Sequence, residues 1–255
     1  MRNLIFTSAL LLIFSCSKPA EIAVSLTPIQ KENTQLLKDQ IDITPNISPV
    51  QQKIKNITVS ALHLPLNSFL EYQYDNKDRI TNVTSTYGGA SQSILNVVYD
   101  DANKILTEYG VKYNMDNAGL IVSTKDDPNE QLFIYKNGFP LRRISGSTFI
   151  NIFDKNGNII NRNAGKVTDF EYTNLPNTIR QEIKSTNSLQ LDFRDVYAGK
   201  FSANLLKKCS FLTDLQKDEL NFSYELDDKG RVMKMLIDRT WGTLKFVYTY
   251  EYTYF

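Results

Sequence analysis

The sequence predicts an all-β fold: an antiparallel meander forming a strongly curved sheet or incomplete barrel, with one short helix near residues 201–217. Three observations predict it. Apolar and polar residues alternate with period two from about residue 56 onward, which places them on opposite faces of strands. Short clusters of Asp, Asn, Lys and Gly interrupt the alternation at irregular intervals, as hairpin turns do. The aromatic content is 14 Tyr and 14 Phe with a single Trp, and such residues favour strands.

The N-terminus reads as an address. Arg2 precedes an apolar run from Leu4 to Phe14 that is shorter than the roughly 20 residues a membrane span needs. The run ends in Ile13-Phe14-Ser15-Cys16, which resembles a bacterial lipobox, with Phe14 bulkier than the usual residue there. The expected organisation is a lipoprotein signal peptide over 1–15, a lipidated Cys16 with a flexible tether over 16–55, and an antiparallel β domain over 56–255. Acyl chains on Cys16 would anchor the chain in a membrane. Ser17, by resemblance to the usual sorting rule, favours the outer membrane over the inner one, with the leaflet left open. The tether segment is rich in polar residues and carries Pro19, Pro28, Pro45 and Pro49, with helical potential confined to KENTQLLKDQI.

From residue 56 the hairpins follow one another. YDNKDRI (74–80), YDDANKI (99–105), YNMDNAGLI (113–121), YKNGFPL (135–141), FDKNGNI (153–159) and LDDKGRV (226–232) share a plan. An aromatic or apolar residue ends one strand, turn-forming residues follow, and an aliphatic residue opens the next. YDNKDRI lacks glycine and is expected to make a looser turn than Asn137-Gly138. Asp154-Lys155-Asn156-Gly157-Asn158 has the composition of half a calcium loop, but its glycine comes fourth instead of sixth and no Glu stands twelfth. A hairpin accounts for it better. Asp126-Asp127-Pro128-Asn129-Glu130, the densest acidic patch, reads as a loop.

The segment 201–220 breaks this rhythm. Phe201, Leu205, Cys209 and Leu212 are spaced by four, four and three residues, which predicts a helix with Ser202 as its cap and Cys209 a buried, inert thiol. In the closing hairpin, Phe222, Tyr224 and Leu226 alternate with polar residues, as do Met233, Met235 and Ile237. The last strand presents Leu244, Phe246, Tyr248, Tyr250, Tyr252 and Tyr254 on one face.

Together the lipobox, the serial hairpins and the LL…L segment leading into FSYELDDKGRVMKM resemble a group of domains of unknown function in Gram-negative lipoproteins, with a porin-like curved β-sheet fold. The hairpin pattern is also similar to the YD-repeat class. The resemblance covers most of 56–255 and implies no catalytic residues.

Composition excludes several chemistries. Net charge is +1, so no long-range field draws in nucleic acid, and none is expected as a partner. One histidine, His63, and two cysteines, Cys16 and Cys209, cannot supply a multi-ligand zinc site. No cofactor, metal or catalytic residue is expected, and the lipid attachment at Cys16 is the one site assigned. The expected function is that of a lipid-anchored envelope protein without enzymatic activity: a binding or interaction module whose ligand is an envelope protein, glycan or lipid. Exposed Tyr or Trp241 would make its contacts. Two alternatives are a carrier holding lipid in a half-barrel against Met233, Met235 and Ile237, and an envelope glycoside hydrolase using paired carboxylates.

Overall fold

The computed structural model describes residues 28–45, 52–62, 67–127, 132–145, 147–162, 167–179, 181, 200–212 and 217–255. Among the described residues one helix, α1 (Pro28–Asp39), precedes sixteen strands. These are β1 (Ile54–Ala61), β2 (Asn67–Tyr74), β3 (Ile80–Tyr87), β4 (Ala90–Asp100), β5 (Ile105–Glu108), β6 (Val111–Met115), β7 (Ile121–Thr124) and β8 (Phe133–Lys136). There follow β9 (Phe139–Ser145), β10 (Ser147–Phe153), β11 (Ile159–Arg162), β12 (Val167–Pro176), β13 (Asn204–Leu212), β14 (Lys217–Leu226), β15 (Val232–Trp241) and β16 (Leu244–Tyr254).

The expected antiparallel meander is present. Strands adjacent in sequence pair with each other except β7 and β8, and β1 also pairs with β16, giving the order β7-β6-β5-β4-β3-β2-β1-β16-β15-β14-β13-β12-β11-β10-β9-β8. The chain therefore starts and finishes in the middle of its own sheet. The two edges, β7 and β8, come together through a hydrogen bond from Leu132 N to Val122 O (2.9 Å), but no ladder joins them and the barrel stays open.

This topology sorts the connections by chemistry. The turns at 75–79, 101–104, 116–120, 137–138, 154–158 and 227–231 all fall at one end of the sheet, here called the aspartate rim, together with both termini of the sheet. The tight turns Gly88-Gly89, Tyr109-Gly110 and Gly242-Thr243 fall at the opposite end, the glycine rim.

Alternation places the core as the sequence predicts. Tyr250 and Tyr252 of β16, Met235 and Ile237 of β15, and Leu220 and Phe222 of β14 are buried in one cluster with Ile57, Val83, Leu95 and Leu106. Met233, Leu226 and Leu244 depart from the expectation and are exposed. A register shift at Glu225/Leu226 moves Val232 inward in place of Met233.

A set of tyrosines secures the aspartate rim. Tyr74 Oη donates to Ile54 O (2.8 Å), Tyr99 to Ile80 O (3.2 Å) and Tyr135 to Ile121 O (2.9 Å). Tyr172 donates to Ile159 O (2.8 Å), Tyr224 to Leu206 O (2.6 Å) and Tyr254 to Val232 O (2.7 Å). Every accepting residue lies at a register shift of the ladder. A bulge interrupts the regular pairing and re-aims the backbone, and the hydroxyl supplies a partner there.

Two expectations change. Residues 204–212 form β13, not a helix, and pair with β12 and β14. A step of four keeps Leu205 and Cys209 on one face in a strand as well as in a helix. Leu206 and Ser210 on the other face are buried too, which erased the alternation. Ser202 caps no helix; its Oγ accepts from Ile159 N (3.3 Å) and lies 3.1 Å from Tyr172 Oη. Within the expected tether, residues 28–45 are folded onto the sheet. Leu36 and Ile43 pack with Phe139, Leu141, Phe153 and Ile159. The Gln40 side chain donates to Phe153 O (2.8 Å) and accepts from Phe153 N (3.0 Å), as a strand neighbour would. Arg142 Nη1 donates to the buried Asn33 Oδ1 (2.6 Å).

Tyr254→Phe is expected to lower unfolding free energy by about 1 kcal/mol by leaving Val232 O without its hydroxyl, whereas Tyr87→Phe at an exposed tip is neutral. Urea unfolding of the two variants checks this, and equal midpoints would refute a stabilising ladder. Gly157 has φ +82, and an added Cβ would lie 2.7 Å from Phe139 Cζ and 3.1 Å from Pro45 Cγ. Gly157→Ala should therefore destabilise by about 1–3 kcal/mol more than Gly230→Ala, where an added Cβ meets nothing.

Candidate functional site

Three regions carry chemistry: the acidic turns, the concave core and the glycine rim. The acidic turns are the most enzyme-like in sequence. Asp75 Oδ1 accepts from Lys77 N and Arg79 N, both at 2.9 Å, and its Oδ2 accepts from Arg79 Nε (2.8 Å). Asp227 is bonded in the same way by Lys229 N, Arg231 N and Arg231 Nε. Asp116 accepts from Ala118 N and Leu120 N, and Asp154 from Asn158 N. Each carboxylate closes its own five-residue turn. The glycine-free turn is no looser than the others. Asp78 takes φ 64 in the place that Gly119, Gly157 and Gly230 hold elsewhere, and its N–H bonds Asp75 O (3.1 Å) as theirs bond Asp116, Asp154 and Asp227. Asp and Asn tolerate this left-handed region better than other residues with side chains.

The arginines link one hairpin to the next. Arg79 also binds Asp101 through Nη1 (2.6 Å) and Nη2 (3.1 Å), and its guanidinium lies 3.9 Å from the Tyr99 ring centroid. Arg231 lies 4.7 Å from the Tyr254 ring. A cleft of about 430 Å³ opens beside the first of these, lined by Arg79, Tyr99, Asp101, Lys104, Asp116 and Leu120. Its electrostatics oppose acid catalysis. Hydrogen bonds from Arg79 and Lys77 hold the Asp101 carboxyl at about 2. Burial by itself would raise Asp75, but the Arg79 backbone N–H, the Arg79 side chain and the Lys77 N–H together hold it below its usual range. A glycosidic general acid needs the reverse, a pKa raised toward neutrality. Among the described residues no group of three or more His, Cys, Asp and Glu could hold a metal.

Met235 and Ile237, proposed for a lipid carrier, lie within the main cluster. Asn177 and Gln181 close part of it with a network that sequence alone does not reveal. Gln181 N donates to Asn177 Oδ1 (2.8 Å), and Gln181 Oε1 accepts from Leu206 N (2.9 Å) and lies 2.9 Å from Tyr224 Oη. Asp218 and Arg239, also missed, form a buried fork with contacts of 2.6 to 3.1 Å. They sit on β14 and β15, 21 residues apart, so only strand register brings them together. Cys209 is buried as expected, and burial followed by the nearby Asp218 charge pushes its thiol far up, away from the nucleophilic thiolate.

The glycine rim is different. Trp241 (42% exposed), Leu244 (52%), Tyr87 (50%) and Leu62 (58%) stand at or beside the tips of β1–β2, β3–β4 and β15–β16. Those six strands are neighbours in the sheet. Tyr109 and Val111 are exposed at the β5–β6 turn. Trp241 is thus exposed as expected, while Tyr250 and Tyr252 of the closing strand are core and Phe246, Tyr248 and Tyr254 are half-buried. Cys16, His63 and the 128–130 part of the acidic patch lie outside the described residues.

No protein-family model matches the chain, and no curated protein matches it. Among solved structures it is similar to a porin-like protein from Bacteroides uniformis ATCC 8492. The two share 14% identity over 82% of this chain and 99% of that one, with a TM-score of 0.43.

Asp75→Ala is expected to cost about 1–2 kcal/mol of stability and Asp75→Asn less, since the amide oxygen keeps the turn bonds. The pH dependence follows from the lowered carboxyls of Asp75, Asp101 and Asp227. Their contribution is complete above the ordinary aspartate range, about pH 4, and is lost as pH falls through their folded values. Urea midpoints should be level above about pH 5 and fall below about pH 4, less steeply in Asp75→Asn. A midpoint that rises on acidification would contradict this.

Proposed function

We propose that this chain is a cell-envelope lipoprotein, held in the outer membrane through Cys16, whose β domain is a non-enzymatic interaction module working through the glycine rim. One observation carries the reading. Met235 and Ile237 are packed within the main cluster, while the large side chains of Trp241, Leu244, Tyr87 and Leu62 stand exposed on neighbouring hairpin tips. An exposed apolar patch of that kind marks an interaction surface. The depressed carboxyls of the acidic turns favour a structural role over a hydrolytic one, and the burial of Met235 and Ile237 argues against a carrier.

The anchor and the module are tested separately. Cys16→Ala should abolish incorporation of radiolabelled palmitate and move the protein out of the membrane fraction. Continued labelling of that variant would sink the lipid assignment. The double variant Trp241→Ser/Leu244→Ser should keep its urea midpoint within about 0.5 kcal/mol, as exposed substitutions do, and lose most of whatever binding the wild type shows to envelope components. Undiminished binding would place the interaction surface elsewhere.

A further inference from the structure

We infer that the cleft between the turns at 75–79, 101–104 and 116–120 binds a neutral saccharide, holding neighbouring ring hydroxyls with charged and amide side chains and a C–H face with apolar ones. This site is separate from the contact surface proposed above. It needs neither a lipid at Cys16 nor the exposed tips around Trp241.

The topology makes the cleft. Strands β4 to β7 are consecutive in the sheet, so the turns 101–104 and 116–120 lie side by side at one end. Met115 N donates to Lys104 O (2.8 Å) and ties them together. Arg79, from the next turn along the sheet, reaches over to Asp101. The three turns enclose about 430 Å³, within the roughly 300–1,000 Å³ of small-molecule sites.

The lining has no net charge, with Arg79 and Lys104 set against Asp101 and Asp116. It therefore favours neither an anion nor a cation. Arg79 and Asp101 are committed to each other through contacts of 2.6 and 3.1 Å. The other groups keep bonding capacity. Asp116 Oδ1 accepts from Ala118 N (2.8 Å) and Leu120 N (2.9 Å), and among the described residues nothing donates to its Oδ2. Lys104 Nζ donates to Asn117 Oδ1 and has no acidic partner among the described residues. An ammonium carries three protons and a primary amide two, so both Lys104 and Asn117 retain donors.

One fixed acceptor thus stands beside donors from two neighbouring turns. A hydroxyl both donates and accepts, so two adjacent hydroxyls of a sugar ring satisfy the whole set. One donates to Asp116 Oδ2, and their oxygens accept from Asn117 Nδ2 and Lys104 Nζ. Hydrogen bonds to ionised groups are the stronger kind. Met115 and Leu120, also in the lining, offer apolar surface to the C–H face of the ring. A phosphate or carboxylate would bring like charge to Asp116, and a purely apolar ligand would strip water from Asp116 and Lys104 without replacing it. Asp116 is held by its turn and Asp101 by Arg79, so the wall is ordered before a ligand arrives and the cost of ordering it on binding is low.

The full-length protein, purified in a detergent that carries no sugar, is titrated with maltotriose, triacetylchitotriose and methyl mannoside, and saturation-transfer NMR reads the sugar ring protons. At least one of the three should show saturable transfer. Lys104→Asn, which suits the φ of 53 at that position, should weaken it about tenfold by removing a charge-assisted hydrogen bond. Asn117→Ala should weaken it less, and both variants should keep the wild-type urea midpoint. Trp241→Ser/Leu244→Ser should leave the transfer unchanged. No transfer from any of the three sugars would overturn the inference, as would transfer that survives both cleft variants. If the tip variant alone abolishes transfer, the cleft falls and the tips are the sugar site. Glycine and phosphoethanolamine are titrated in parallel; transfer to these zwitterions alone, lost in Lys104→Asn, would replace the saccharide and refute the assignment.

Discussion

The fold depends on a hydrogen bond from a strand-end tyrosine hydroxyl to a carbonyl at a break in the ladder. Among the described residues six such bonds occur, from Tyr74, Tyr99, Tyr135, Tyr172, Tyr224 and Tyr254, and each acceptor sits at a register shift. A bulge adds twist and curvature but leaves backbone polar groups off the regular ladder. Without a partner those groups would be costly where burial excludes water. The hydroxyl meets that need and carries its ring into the core, so curvature and packing are obtained together.

The turn chemistry feeds the same bond. Asp75 and Asp227 close their turns with one carboxylate oxygen and hold an arginine with the other, and that arginine stacks on the next tyrosine, Tyr99 or Tyr254. Aspartate, arginine and tyrosine thus form one unit spanning successive hairpins. This explains why an acidic motif can recur as a turn. A carboxylate committed to two backbone N–H groups and a guanidinium is a poor proton donor, and repetition distributes it along a whole rim. Helix α1 completes the structure at β9 and β10, where Gln40 bonds the Phe153 backbone with its side-chain amide.

Up-and-down topology turns these local rules into a polarity of the whole sheet. Alternate connections fall at opposite ends, so turns built on Asp and turns built on Gly become two rims of different chemistry. Charge and hydrogen-bonding capacity gather at one rim. Trp241, Leu244, Tyr87 and Leu62 are exposed at the other, on neighbouring strands, while Phe255, Leu226 and Met233 are exposed at the first.

Much of this was legible in the residues. Period-two alternation located the buried faces of β14, β15 and β16, and the Asp-Asn-Lys-Gly clusters located the turns, because both are set by neighbours within a few positions. Trp241 was legible as an exposed candidate, but the rim it belongs to was not. That required knowing at which end of the sheet each turn falls, and reading β13 as a helix removes one strand and loses the count. The misreading had a physical cause: both periods place Leu205 and Cys209 together, and burial of Leu206 and Ser210 removed the wet face that would have decided between them. Asp78 in a glycine's conformation, the Asp218–Arg239 fork and the docking of residues 28–45 were likewise invisible. Each depends on partners brought together by register across tens of residues, such as Gln40 with Phe153. The sequence by itself determined strand faces, turn positions and the burial of Cys209, since these follow from local pattern. Tertiary structure alone decided which turns share a rim and which strands meet, since pairing register is a property of the whole sheet.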